Sequence, residues 1–470
     1  MSSWLPDLAD AGDAPAKPRY LAIAEAIGKG IEDGRLAPGA RLPTQRALAY
    51  RLGVSVHTVS SAYAEAERRG YVSGEVGRGT FVRPRHRRGD GQFFVDRRRE
   101  DLIDLSINRP AIGHLHASRI RAAFADLAQA TDLSAMLACR PIVGLDRHRE
   151  AAAVWLGRRG VDVPPERIIL TNGVVHGLLV ALAALTKPGD LVATECLVDH
   201  GLIALAGVLH FRLEGLAIDA EGILPDAFEA ACRAGGVRAL CCTPSLSNPT
   251  VATMPAERRR AVAAIARAHG VAVVENDVYG PLLPDDADRP PPLHAFCPER
   301  AYYLTSFTKA VVSGLRVGYL AAPAAAVPRL TTRLRATSWM ATPLVAEIAT
   351  RWIEDGTAEE LIAWQRAELR ARNDVLRRAL AGFDLAHYPT ALHAWLTLPG
   401  GWRAEGFAGQ ARLRGVAVAP AEPFVVGRLP EPHAARLSLG APSSHAELER
   451  GLAVLAEILR EEPEPAFVPI

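Results

Sequence analysis

The sequence predicts an α/β protein in which a small N-terminal module precedes a much larger body. Three observations carry that prediction. Short helical patterns ended by glycine fill the chain up to Val82, and an Arg-rich stretch from Arg83 to Glu100 follows. From Asp101 onward, continuous apolar runs alternate with Ala-, Arg- and Glu-rich helical stretches, the pattern of a parallel sheet covered on both faces. The 470 residues, 49% hydrophobic and 23% charged, suffice for more than one domain and at least one large core.

In the first module, Tyr20 to Gly30 has apolar residues at helical spacing, and Gly34-Arg-Leu-Ala-Pro-Gly39 makes a turn. Thr44 is placed to N-cap a helix through Ala47, Leu48 and Leu52 that ends at Gly53. Ser55 caps a second helix running to Arg69. Two short helices joined by a tight glycine turn have helix-turn-helix geometry, in which the second helix enters a DNA major groove by its N-terminal end. Tyr71-Val-Ser-Gly-Glu-Val-Gly-Arg-Gly-Thr-Phe-Val82 reads as a hairpin with a Gly-rich tip, the wing. Leu48, Leu52, Val59 and Tyr63 read as its core. Arg83, Arg85, Arg87, Arg88, Arg97, Arg98 and Arg99 then form a basic stretch, either a solvated linker or a segment lying along nucleic acid.

Strand-like runs in the body include Arg167 to Thr171, Leu191 to Ala193, Ala239 to Thr243 and Val271 to Glu275. Several end in residues that carry chemistry. Thr171-Asn-Gly-Val-Val-His-Gly177 follows a strand and opens a helix, so Gly173 lets backbone N–H groups close on a phosphate. Thr243-Pro-Ser-Leu-Ser-Asn-Pro-Thr250 puts Asn248 at a strand end, and Glu275-Asn-Asp-Val-Tyr279 does the same for Asp277 and Tyr279. Ser306-Phe-Thr-Lys309, with Arg316 downstream, sets one lysine among hydroxyls and a guanidinium, a combination that can hold an aldehyde and an attached phosphate.

Other classes fit poorly. Cys139, Cys196, Cys232, Cys241, Cys242 and Cys297 form no zinc-spaced set, so no metal site is expected, and their scatter suits a reducing compartment. The start has no basic-then-apolar leader and no run reaches membrane-spanning length, so a cytoplasmic protein without a membrane partner is expected.

The string from Leu36 through Arg41-Leu-Pro-Thr44, Arg46 and Leu48-Ala49 to Leu52-Gly-Val-Ser55, Thr58-Val59, Ala62-Tyr63 and Gly70-Tyr-Val72 resembles the GntR family of winged-helix regulators. That resemblance implies that Arg46, Ser55, His57, Thr58 and Ser60 face DNA, with Gly77 at the wing tip. The family usually has arginine where this chain has Val56, a loss that His57 or Arg78 would have to make good. The body resembles fold-type-I pyridoxal-phosphate enzymes of the aminotransferase family, its motifs keeping that family's order. The resemblance implies Lys309 as the Schiff-base lysine, Asp277 as partner of the pyridine nitrogen, and Asn248 and Tyr279 as donors to the ring oxygen. Gly173, Val174, Ser306, Thr308 and Arg316 form the implied phosphate cup. Arg436, in Ala435-Arg-Leu-Ser-Leu439, matches the arginine that takes a substrate carboxylate.

Some positions depart from that pattern. Where the family has a ring-stacking aromatic, Glu195-Cys-Leu-Val-Asp-His-Gly201 offers only the imidazole of His200. The tyrosine that reaches a phosphate across the dimer is missing, leaving Arg140 as the nearby candidate. Thr390-Ala-Leu-His393 replaces a Gly-Gly-x-Phe stretch, so His393 either touches the ligand or is a satisfied core histidine.

The fused pair resembles the MocR subfamily of GntR-type regulators. This implies a winged helix-turn-helix over 1–82, a linker over 83–100 and an aminotransferase-like body over 101–470, with a large part near 130–330 and a small part near 331–470. It also implies pyridoxal 5′-phosphate as cofactor, an operator in double-stranded DNA and a head-to-tail homodimer. The effector implied is a small amino compound: an amino acid, an aminosulfonate such as taurine, an ectoine-derived diamino acid, or the cofactor itself. An active aminotransferase with a DNA-binding appendage is the alternative, since the residues for transamination are present.

Overall fold

The computed structural model describes residues 18–33, 35–37, 39–69, 71–75, 79–82, 102–129, 134–285, 289–427 and 432–461. The chain divides into two compact units. The described residues up to Val82 belong to the first; those from Leu102, Gly427 excepted, belong to the second. The expected Arg-rich linker lies outside the described residues, as do Gly77 and Arg78.

In the first unit three helices, α1 (Arg19–Glu32), α2 (Gln45–Leu52) and α3 (Val56–Arg68), precede an antiparallel hairpin of β1 (Val72–Glu75) and β2 (Gly79–Val82). Local chemistry sets the ends. The Thr44 hydroxyl accepts the Ala47 N–H at 3.3 Å to start α2, and the Ser55 hydroxyl accepts the Thr58 N–H at 3.0 Å to start α3. Between them Gly53 turns the chain with a left-handed φ of 64°. Leu48, Val59 and Tyr63 are buried with Ile23, Ile27 and Leu36, while Leu52 packs at the edge. The Tyr63 hydroxyl donates to the Pro43 carbonyl at 2.7 Å, which ties α3 to the segment before α2.

The second unit is built on a seven-stranded sheet. In chain order its strands are β3 (Ile168–Thr171), β4 (Leu191–Glu195), β5 (Arg212–Leu216), β6 (Val237–Cys242), β7 (Ala272–Asn276), β8 (Ala301–Ser306) and β9 (Gly318–Ala321). Their spatial order is β3-β9-β8-β7-β6-β4-β5. All neighbours run parallel except β9, which is antiparallel to both β8 and β3. The segment 307–317 joining β8 to β9 contains no crossover helix, so the chain must return antiparallel. That return carries Lys309 and Arg316.

Helix α4 (Val174–Leu185) packs on β7, β8 and β9, and buries Leu178, Val180, Ala181 and Leu182. A smaller, four-stranded antiparallel sheet contains His393–Thr397 and Ala434–Ser438 as its central pair. It shares a second apolar cluster with the helices Thr357–Ala379 and His445–Arg460. The register sets His393 opposite Ser438 and Trp395 opposite Arg436.

Candidate functional site

Strand ends of the large sheet converge on Lys309, as ligand groups do in open α/β sheets. Asp277 follows β7, with one carboxylate oxygen accepting the Tyr303 hydroxyl at 2.7 Å. Its other oxygen, Oδ1, is buried with no hydrogen-bond partner. A buried, unsatisfied carboxylate oxygen is costly, and this one is free to accept a hydrogen bond from a donor. Gly280 lets the carboxylate lie close, because a Cβ there would stand 2.0 Å from Asp277 Oδ2.

The phosphate side is equally specific. Gly173 N-caps α4 with a φ of 84°, and Arg316 holds a left-handed φ of 51°. A Cβ on Gly173 would stand 3.0 Å from Arg316 Nη2, a tight contact, and the positive φ itself favours glycine here. Ser306 accepts the Thr308 N–H at 3.2 Å, and the buried Thr308 hydroxyl has no partner. Val174 begins α4, where N–H groups and the helix dipole favour an anion.

Lys309 donates from Nζ to the Asn108 carbonyl. Burial lowers its pKa to about 8; Asp199 opposes the fall, while Arg436 and Arg316 add to it. Arg436 is buried and donates from Nη1 to Asn248 Oδ1 at 2.8 Å and from Nη2 to the Ser106 carbonyl, leaving Nε without a partner. The ring of Phe424 lies 5.0 Å from its guanidinium carbon. Asn248 Nδ2 donates in turn to Asp199 Oδ2 at 2.5 Å. The Tyr279 hydroxyl accepts from Asn108 Nδ2 at 3.0 Å, and burial followed by the charge of Asp199 raises its pKa.

His393 is fully buried. Its Nδ1 accepts from Asn108 Nδ2 at 3.0 Å, and its Nε2 donates to the Ser247 carbonyl at 3.1 Å. Burial, with Arg436 nearby, lowers its pKa to about 3, so the ring is neutral. Both nitrogens are engaged by protein groups, the environment of a satisfied core histidine. Arg140 is exposed on the rim of an open pocket with Pro141, Ile142, Val143 and Thr331.

Thus Gly173, Val174, Asp277, Tyr279, Ser306, Thr308, Lys309 and Arg316 lie at or just beyond strand and helix ends of the second unit, Asn248 lies in the segment that follows Val237–Cys242, and Arg436 is the central residue of Ala434–Ser438. Sequence reasoning missed Asn108, Tyr303 and Asp199. Asn108 follows a two-residue strand too short to register as periodicity, and Tyr303 is hidden inside an apolar run. Asp199 lies within the stretch singled out for its missing aromatic. His200, the ring expected there, is exposed instead.

In the first unit Arg46, Ser55 and His57 are exposed, while Thr58 and Ser60 are half-buried. Ser55 and Thr58 also bond each other through their hydroxyls at 2.8 Å, so both are partly committed to the cap of α3. Val56 is 44% exposed at the helix start.

The architecture and site define an aminotransferase-like body preceded by a winged helix-turn-helix. Residues 100–455 match the family of class I and II aminotransferases, and residues 19–82 match the gntR family of bacterial regulatory proteins. YdeF of Bacillus subtilis, an uncharacterised HTH-type transcriptional regulator, is 30% identical over 97% of both chains. TauR of Rhodobacter capsulatus, also an HTH-type transcriptional regulator, is 28% identical over 93% of this chain and 96% of its own. A kynurenine aminotransferase of Pyrococcus horikoshii shares the fold at a TM-score of 0.72 and 22% identity, covering 78% of this chain and 93% of that one. The chain belongs to the class I and II aminotransferase family in its body and, as a whole, to the MocR subfamily of GntR-type transcription regulators. It is a DNA-binding regulator with an aminotransferase-like domain.

Proposed function

We propose that this regulator holds pyridoxal 5′-phosphate at Lys309 and senses a small amino compound there, changing its hold on an operator. The observation that carries the reading is the buried, unpartnered Asp277 Oδ1 just past the end of β7, the parallel neighbour of the strand that leads to a lysine of lowered pKa. The group fits the residues. Gly173, Val174, Ser306, Thr308 and Arg316 would hold its phosphate, Asp277 its ring nitrogen, and Asn248 and Tyr279 its ring oxygen. When bound, the cofactor supplies an aldehyde that condenses reversibly with primary amines.

The chain's own groups prepare that chemistry. Near pH 8 about half of Lys309 is a neutral amine with a free lone pair, and the Asn108 carbonyl fixes the direction of its Nζ. Arg436 and Asn248 form one hydrogen-bonded wall of the ligand chamber. His393 supports it from behind, holding Asn108 in place and standing 5.6 Å from the Tyr279 ring.

We assign residues 1–82 to the reading head, 83–100 to the linker and 101–470 to the body, with large and small parts meeting near residue 330. Arg46, Ser55, His57, Thr58, Ser60, Gly77 and Arg78 form the operator-facing surface in this reading. A cytoplasmic, head-to-tail homodimer, implied by the resemblance to the MocR subfamily, completes it.

The test is spectroscopic. Purified protein mixed with pyridoxal phosphate gives a visible absorbance band that a primary amine shifts and that Lys309→Ala abolishes. A band of equal strength in Lys309→Ala sinks the reading.

A further inference from the structure

The stretch Glu195 to Gly201 stands where an aromatic ring was expected, and Asp199 is the member whose side chain joins the ligand cluster. Its Oδ1 accepts the Gly201 N–H at 2.8 Å, capping the helix His200–Leu209. Its Oδ2 accepts from Asn248 Nδ2, and Asn248 Oδ1 accepts from Arg436. One amide therefore bridges a carboxylate and the guanidinium expected to bind an effector's carboxylate. Asp199 keeps 34% of its side chain exposed. These two bonds use only part of what a carboxylate can accept, about four hydrogen bonds in all.

A cap alone does not account for this arrangement. A cap needs a single oxygen, and Ser, Thr or Asn would serve as well. The second oxygen is spent on the Asn248–Arg436 wall. The charged and titratable groups around it are Lys309, Arg436, His200 and Tyr279, with His393 neutral behind them. Burial raises the pKa of Asp199, but His200, the Gly201 N–H, Lys309 and Arg436 together hold it below the ordinary value, so the group is an anion.

We propose that Asp199 supplies from the protein the negative charge that an amino acid would bring to Arg436, and that the chamber therefore selects primary amines lacking an α-carboxylate. This rests on the cofactor-and-amine reading above and narrows its ligand class. An α-carboxylate entering beside Arg436 and Asn248 meets a like charge within the same hydrogen-bonded chain, whereas an amine without one meets only a partner for its ammonium.

The test uses two matched pairs, norvaline against butylamine and ornithine against 1,4-diaminobutane, each pair differing only by the α-carboxylate. Dissociation constants are read from the shift of the cofactor band in the full-length protein. The carboxylate-free member binds more tightly in both pairs. Asp199→Asn, which keeps the cap acceptor and removes the charge, moves each ratio toward the amino acid by roughly 10- to 100-fold, the size of one charge-assisted contact. Asp199→Tyr, restoring a ring, moves the ratios the same way. Equal ratios in wild type and Asp199→Asn overturn the proposal. So does a response confined to the ornithine pair, which would make Asp199 a receptor for a distal ammonium. If no visible band ever forms, the cofactor reading fails on its own. Calorimetry of the four amines with the cofactor-free protein then reads the same order, and norvaline binding at least as tightly as butylamine there overturns the proposal.

Discussion

At the scale of single residues, the body is organised by side chains whose partners are set before any ligand arrives. Lys309 has a pKa near 8 because burial outweighs the help it receives from Asp199. Folded protein therefore binds fewer protons than unfolded protein between about pH 8 and the ordinary lysine value of 10.5. This group's destabilising effect is full below pH 8 and fades as pH rises across that window. Its reactivity follows the same titration: the rate at which the visible band appears on mixing with cofactor rises with pH and levels above about pH 8. A rate still climbing in parallel with free lysine at pH 10 would contradict the lowered value. His393, held near 3, acts with the same sign in the acid range. It stays neutral in the fold but protonates in the unfolded chain below 6.5, so stability falls as pH drops from 6.5 toward 3. His393→Gln should flatten the acid limb of a Tm-against-pH curve.

Elements place these residues, and their ends were more legible than their neighbourhoods. Thr44, Gly53 and Ser55 could be read as cap, turn and cap because the chemistry of helix ends is local, and the structure has each in that role. Ser55→Ala removes the acceptor for the Thr58 N–H and should cost the winged module about 1 kcal/mol, seen as a lower Tm for its transition. Gly173, Asn248, Asp277 and Lys309 were legible because each follows or opens a strongly apolar run. Direction was legible only where a helix separates two apolar runs; no α-helix stands between β8 and β9, and β9 runs antiparallel in an otherwise parallel sheet. Long-range partners were equally hidden. Asn108 and His393 meet across much of the chain, and no spacing rule relates them. Gly280 is testable at this level. Gly280→Ala drives a methyl into the Asp277 carboxylate, and cofactor affinity measured by absorbance titration should fall at least about tenfold, as for loss of one charged contact.

On the scale of the whole molecule, a regulator needs its two units coupled, and coupling is a free energy shared by both sites. Whatever factor an amine applies to operator affinity, the operator must apply to amine affinity. Typical couplings are about 5- to 150-fold. Operator titrations with and without a binding amine, and amine titrations with and without operator, should therefore return one common factor. Lys309→Ala should bring that factor to unity while leaving operator affinity in the amine-free state measurable, because the reading head has its own apolar core. Arg46→Ala should do the converse. It should weaken operator binding and lower the slope of log affinity against log salt by about one if the guanidinium meets a phosphate, while the amine's effect on the cofactor band persists. Two factors that disagree beyond error would mean that amine and operator do not act on one shared pair of states. A Lys309→Ala protein that still responds to amine would mean that the signal starts outside the cluster around Asp277 and Lys309.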